Sequence, residues 1–416
     1  MNAHIDPQRA RHLMRAADLD ALLFCTPENF FYSTGFSSMI LHLYRQAPLA
    51  LALLPARASI EPAILVPALE VAAVQRTSGI QSVYSFPIWW EVYDLDRVAG
   101  REGGDLEALL AQDPPQLPEQ YDREEIGQLL SDVLRDRGLS GGRIGLELDF
   151  VDANTYSVLE QTNPEVAFVD STSLMYELRS VKSSAEIDAL RKACLVTEAG
   201  IVTATEGISE GSTVGSITDT FHRGVWGAAR AQGLTEAVGN ITGQPALEAQ
   251  GGLEGGSPHL PHSTTVKFDM QVCLSHYHSD VGRTYVFGAP SLDQRRIHDA
   301  LLKAHRRMRD ALRPGVRFCD VYEVARDSFR RSGFKYHSRG HFGHSVGLDA
   351  KIEEPPFISA AEGRLLSPGM VLAVETPFYC SGVGMFQIED MCLITQDGHE
   401  VLNELPHELQ QLSGDF

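Results

Sequence analysis

Apolar residues in the first 170 positions come in short runs closed by turn-forming residues. Asp20–Cys25 (Asp-Ala-Leu-Leu-Phe-Cys) stops at Thr26-Pro27, and Leu49–Leu54 and Ala63–Val66 are each bounded by proline. Runs this short with breakers beside them predict buried strands. Between 122 and 137 the period changes. Ile126, Leu129, Leu130, Val133 and Leu134 recur at helical spacing and Gly138 follows. This predicts an amphipathic helix over Asp122–Arg137, after which Arg143–Glu147 predicts another strand. Strands alternating with helices predict an α/β domain. Asp94–Pro118, polar and carrying Gly103-Gly104 and Pro114-Pro115, reads as a loop.

The pattern shifts near Asp170–Lys182. Ser183, with Glu186 three residues on, has the capping-box spacing of a helix start. Ile187, Leu190, Cys194 and Ile201 continue that helix's apolar face. Gly239–Ser257 is rich in glycine and polar residues and predicts a functional or mobile loop. Leu292–Leu312 and Asp320–Arg331 predict two more helices, the second ended by Gly333. A chain of 416 residues is too long for one ordinary core. Two domains are expected, 1–172 and 173–416.

Composition narrows the function. A formal charge of −20 disfavours a nucleic-acid partner, itself an anion. Six cysteines without any Cys-x-x-Cys pair indicate neither a zinc cluster nor a disulfide framework. A reduced compartment, the cytoplasm, is expected. The start, Met1-Asn2-Ala3-His4-Ile5-Asp6, lacks the features of a signal peptide. The apolar run Ala47–Pro55 is too short to span a bilayer, so no membrane partner is expected.

Candidate chemistry lies in the second half, in five patterned segments. Asp269 ends Val266-Lys267-Phe268-Asp269, and Asp280 lies in Ser279-Asp280-Val281-Gly282-Arg283-Thr284. His344 lies in Gly343-His344-Ser345-Val346-Gly347. Glu375 closes Gly369–Glu375, and Glu389 lies in Gln387-Ile388-Glu389-Asp390. Four carboxylates and one imidazole suit a pair of divalent metals with bridging carboxylates. The alternation before Asp269 predicts a strand, with Asp280 on its returning partner. A hairpin can bring two such carboxylates to one face.

These segments resemble the creatinase/prolidase/methionine-aminopeptidase family of "pita-bread" metallopeptidases. The eleven-residue step from Asp269 to Asp280, followed by Arg283-Thr284, is similar to that family's two-aspartate hairpin. Glu177–Ile187 resembles the entry to its catalytic domain. Thr26-Pro27-Glu28-Asn29 and Tyr32-Ser33-Thr34-Gly35-Phe36 resemble its N-terminal domain. The resemblance implies an α/β N-terminal creatinase-like domain followed by an α+β pita-bread catalytic domain. It implies two divalent ions (Mn, Co, Zn or Fe) on Asp269, Asp280, His344, Glu375 and Glu389, with Asp280 bridging. In a rival register the first ligand position falls on Leu274, which cannot bind metal.

The implied activity is hydrolysis of C–N bonds in dipeptides or small amides, with Glu375 as proton shuttle. His259, in the Pro258-His259-Leu260-Pro261-His262 segment, is favoured over His262 as the family's substrate-facing histidine. His341 is a further candidate, within a cluster that includes His276, His278 and His337. The sequence also departs from the pattern. Where peptidases carry a His-Glu-x-Pro histidine, Lys351–Pro356 has none, and Gln387 stands where prolidase-like members have arginine. These departures point to a small substrate. They keep open a non-peptidase enzyme of the same fold: creatinase-like, ectoine-hydrolase-like or dimethylsulfoniopropionate-lyase-like. A binding protein with a dead site is a third reading, against which every ligand is present. A homodimer is implied, with Trp89-Trp90 and Tyr93 as a candidate recognition surface near the partner's site.

Overall fold

The computed structural model describes residues 4–91, 116–248, 260–348 and 351–412. It divides into two compact units, Met1–Leu178 and Arg179–Phe416. Within the first, six strands form one sheet: Ala21–Phe24 (β1), Leu51–Pro55 (β2), Ala63–Pro67 (β3), Val83–Phe86 (β4), Arg143–Leu146 (β5) and Ala167–Asp170 (β6). Their order is β4-β3-β2-β1-β5-β6, with β1 antiparallel to β2 and parallel to β5. Strands β1, β2 and β3 are buried at every position, so they read as unbroken apolar runs rather than alternating ones. The predicted helix forms over Arg123–Asp136. Asp122 caps it by accepting from the N–H groups of Glu124 and Glu125, and Gly138 leaves it at φ +65°.

The Thr26–Asn29 motif does structural work in this unit. Buried Glu147, at the end of β5, accepts from the N–H groups of Cys25 and Thr26 at 2.8 and 3.0 Å. It also accepts from the Thr26 hydroxyl and the Asn29 amide. These donors satisfy a carboxyl whose pKa burial raises. They tie β5 to the start of helix Pro27–Thr34. Trp89 packs edge-on against Tyr44 and Trp90, at ring-centroid distances of 5.0 and 5.6 Å, while Trp90 is exposed. Tyr93 and residues 94–115 of the expected loop lie outside the described residues.

The second unit contains an 11-stranded sheet. Its strands are Val238–Thr242 (β7), Ala246–Glu248 (β8), Thr264–Leu274 (β9), Tyr277–His278 (β10), Val281–Phe287 (β11), His341–Ser345 (β12), Glu354–Ser359 (β13) and Val371–Glu375 (β14). Outside this sheet, Phe378–Cys380 (β15) and Gly384–Phe386 (β16) pair with each other. Glu389–Ile394 (β17), His399–Val401 (β18) and Gln410–Leu412 (β19) complete the main sheet. Its central path runs β10-β9-β11-β17-β14-β12-β13. Helix Ser184–Glu206 starts with the expected capping box and packs against β9. Helices Leu292–Ala311 and Phe318–Arg331 pack their apolar faces on β12, β14 and β17 through Leu301, Met308, Val321, Phe329, Phe342, Leu372 and Cys392. Gly333 follows the second of these at φ +90°.

One expectation is corrected. The stretch 239–248, read as loop, contains most of β7 and all of β8, both paired antiparallel with β9. Its polar sequence lacks strand character. Pairing with a long, well-formed neighbour outweighs the local preference. Residues 249–257 of that stretch lie outside the described residues.

Candidate active site

The site is built across five adjacent strands, β9, β11, β17, β14 and β12. On β9 the side chains alternate: Phe268, Met270 and Val272 are fully buried in the core, while Lys267, Asp269 and Gln271 face the other way. Asp269 lies directly across from Gly282 of β11. Gly282 pairs with Glu389 of β17, and Glu389 pairs with Glu375 of β14. Direct cross-strand partners share a face. This row therefore brings three carboxylates to one surface around a residue without a side chain. A Cβ on Gly282 would lie 2.3 Å from Gln387 Cγ and 3.0 Å from Glu389 Oε2. Asp280 precedes β11, and His344 on β12 lies opposite Ala373 of β14. The sheet register thus gathers residues spread over 120 positions of sequence.

The signature after Asp280 locks this register. Arg283 donates to Glu389 O and to Asp390 Oδ1, both at 2.7 Å. The Thr284 hydroxyl accepts from Gln387 N at 2.7 Å. Arg283 and Asp390 are both almost wholly buried, so the pair holds β11 against β17 away from solvent.

The carboxylates are tied by amides and cations. Gln271 Nε2 donates to Asp269 Oδ1 at 3.0 Å and to Asp280 Oδ1 at 2.8 Å. Gln387 Nε2 donates to Glu375 Oε2 and Glu389 Oε2, each at 3.1 Å. Lys267 Nζ lies 2.8 Å from Asp269 Oδ2 and donates to the Tyr379 hydroxyl at 3.3 Å. Arg339 Nη2 pairs with Glu375 Oε1 at 2.6 Å. His341 Nδ1 is 3.4 Å from the same oxygen, and its Nε2 is 3.5 Å from Glu353. His344 Nε2 is 3.6 Å from Asp280 Oδ2, and its Nδ1 lies 3.0 Å from Ser345 O.

Electrostatics mark the two innermost acids. Burial, then the charges of Asp269 and Glu375 among others, pushes the Asp280 carboxyl well above the usual range. Burial, then Asp280, Asp269 and Glu375, does the same to Glu389. Burial works against the Lys267 ammonium, but Asp269 outweighs it and leaves the pKa raised. Burial lowers the His341 imidazole more than Glu375 raises it. A cavity of about 360 Å³ opens over the site, and Asp269, Asp280, His344, Glu375 and Glu389 all line it. Gln271, Arg339, Lys351, Ile352, Glu353 and Tyr379 complete its wall.

The donor set fits a divalent cation. Donor atoms of Asp280, His344 and Glu389 lie within 4.8 Å of one another, all on buried residues. Mutually repelling buried carboxylates call for positive charge. A second His–Asp–His grouping, at His305, Asp390 and His407, is a different case. There Arg283 and Arg309 already neutralise Asp390.

Leu274, the rival first position, is buried at the far end of β9. His337 packs between Phe329, Phe342 and Phe378, and His278 is buried beside the hairpin turn. His262 is exposed and stacks on Phe287, and His259 lies outside the described residues. Sequence reasoning passed over Lys267, Gln271, Arg339 and Tyr379. The first two carried a signal, since positions 267, 269 and 271 must share a face on a strand. Arg339 and Tyr379 reach the site through loop and hairpin geometry that spacing does not reveal.

Comparison with known proteins agrees with this geometry. Residues 7–181 match the creatinase/prolidase N-terminal domain. An Xaa-Pro dipeptidase of Pyrococcus furiosus is 30% identical over 242 residues, covering 56% of this chain and 66% of the relative. An Xaa-Pro dipeptidase structure from Bacillus anthracis superposes with a TM-score of 0.75 at 19% identity, over 98% of this chain and 99% of that one. The prolidase of Pyrococcus horikoshii OT3 gives 0.73 at 21% identity, over 97% and 99%. At these identities the two structures speak for the fold. With residues 188–396, half of its length, matching the family's sequence pattern, the chain belongs to metallopeptidase family M24.

Proposed function

We propose that this protein is a metal-dependent hydrolase of the C–N bond in dipeptides or compact amides, prolidase-like in the broad sense. One observation carries the reading: buried acids and an imidazole converge at the base of a cavity of about 360 Å³, near the lower end of small-ligand pockets. Asp280, His344 and Glu389 would hold the cation, with Glu375 and Asp269 beside them. A bound divalent ion supplies Lewis-acid polarisation of the carbonyl and a water of lowered pKa. Glu375, which pairs with Arg339 and accepts from Gln387, would hold a proton and pass it to the leaving nitrogen. His341 stands beside Glu375 and can exchange that proton. Lys351 also lines the cavity wall.

Mn, Co, Zn and Fe are the candidate ions, given carboxylate and imidazole donors. Six free cysteines support a cytoplasmic location, and no described helix is long and apolar enough to cross a membrane. A homodimer is proposed, and light scattering should give a mass near twice the 45.7 kDa chain.

The activity test compares metal-loaded and metal-free protein on Xaa-Pro dipeptides, compact amides and a decapeptide. Cleavage of the short substrates, lost on chelation and in Asp280→Ala, is expected. Undiminished turnover without metal sinks the proposal. Cleavage of an amide but no dipeptide moves the reading to a creatinase- or ectoine-hydrolase-like enzyme, which the lack of histidine in Lys351–Pro356 favours.

A further inference from the structure

The resemblance implies two cations. We infer instead that the protein holds one divalent cation, at the Asp280–His344–Glu389 end, and that Lys267 and Gln271 occupy the place of the second at Asp269. This rests on the metal-dependent reading above.

Both carboxylate oxygens of Asp269 already have a protein partner. Its Oδ2 pairs with Lys267 Nζ at 2.8 Å, and its Oδ1 accepts from Gln271 Nε2 at 3.0 Å. The same amide nitrogen reaches Asp280 Oδ1 at 2.8 Å. A primary amide carries two protons, so Gln271 spends one on each aspartate. Its nitrogen sits between the two oxygens that a cation shared by these residues would need. The arrangement is built into β9, where positions 267, 269 and 271 project to one face by strand alternation. An ammonium this close opposes a second divalent ion by direct repulsion.

The histidine end differs. Donor atoms of Asp280, His344 and Glu389 converge within 4.8 Å, and Asp269 is outside that group. Asp280 and Glu389 receive neutral amides, from Gln271 and Gln387, but no cation from a described residue. Asp269 and Glu375 each receive one, from Lys267 and Arg339. Protein cations thus neutralise Asp269 and Glu375, and Asp280 and Glu389 with His344 are left for the metal. The side chain of Asp269 is also 30% exposed, against 5% for Asp280.

The test is metal counting on the full chain. Chelator-stripped protein is titrated with Mn²⁺ by calorimetry, and metal is measured after desalting. About one Mn per chain is expected, with the paramagnetic resonance signal of isolated ions, since exchange coupling needs two metals roughly 3.5–4 Å apart. Lys267→Met combined with Gln271→Gly is expected to raise the count to about two and produce coupling. The wild-type count decides the matter even if that variant does not fold. Two coupled Mn ions in the wild type would overturn the inference and leave the metal-dependent reading intact. A folded double variant that still binds one would overturn the role given to Lys267 and Gln271. No Mn bound, with turnover unaffected, would overturn the metal-dependent reading itself.

Discussion

Gln387 holds two acids with one nitrogen, and its carbonyl oxygen is buried without a partner among the described residues. Arginine at this position would add a charge. Glutamine adds only donors and an acceptor, so the site keeps more of its negative charge for a metal. Gln387→Leu removes both hydrogen bonds while keeping bulk. We expect Mn²⁺ affinity to fall roughly 10–100-fold, the usual cost of losing a partner that orients metal ligands. Calorimetric titration of wild type and variant measures this, and equal dissociation constants would remove Gln387 from the metal's support. Ser345 illustrates a different residue-scale choice. Lys182 Nζ donates to its hydroxyl at 2.9 Å, and burial lowers that ammonium's pKa to about 8. The serine after His344 thus partners a buried lysine and faces it rather than the cavity.

At the scale of elements, the site depends on strand register more than on any loop. Gly282 lies between Asp269 and Glu389 in the Asp269–Gly282–Glu389–Glu375 row, and a methyl group there has no space beside Gln387 and Glu389. Gly282→Ala is expected to cost about 1–3 kcal/mol in stability through overpacking. It should also weaken metal binding, because the residues it displaces are Glu389, a proposed ligand, and Gln387, which donates to it. Denaturant melts and Mn²⁺ titration of the same sample check both effects, and a variant with native affinity would show that the row tolerates displacement. Ser183→Ala provides the contrast. It breaks the capping box of helix Ser184–Glu206 by removing the hydroxyl that accepts from the N–H of Glu186 at 3.4 Å. A loss of about 1 kcal/mol is expected, with the metal count unchanged.

At the scale of the whole molecule, buried histidines make the fold acid-sensitive. Burial lowers His298 to about 4 and His305 to about 3, from an ordinary 6.5, despite the nearby Asp299 and Asp390 carboxylates. The unfolded chain therefore binds more protons than the folded one below pH 6.5. The stabilisation is fully present above 6.5 and is lost as pH falls toward the folded values. His298→Leu removes one such group. Between pH 7 and 5 the wild type should lose on the order of 1–2 kcal/mol more stability than this variant. Urea melts at the two pH values give the difference, and parallel losses would place the acid sensitivity elsewhere.

Much of this was legible in the chain itself. Short apolar runs marked β1, β2 and β3 because each is buried on both faces. The 3.6-residue period marked helix Arg123–Asp136, and the Ser183–Glu186 spacing marked a helix start. Four acids and an imidazole, each inside its own pattern, identified the candidate site and its family. These features are local: burial, periodicity and capping are written within a few residues. What the sequence could not express was contact between distant segments. Strands β7 and β8 exist because β9 offers them partners, whatever their own preference. Arg339 reaches Glu375, Tyr379 reaches Lys267, and Gln387 bridges β14 and β17 only after the strands are in register. The sequence by itself determined which residues could bind a metal, since donor chemistry belongs to the side chain. Only the tertiary structure decided which carboxylates already hold a protein cation and which do not, because charge pairing depends on distances of a few ångströms that pairing across the sheet sets.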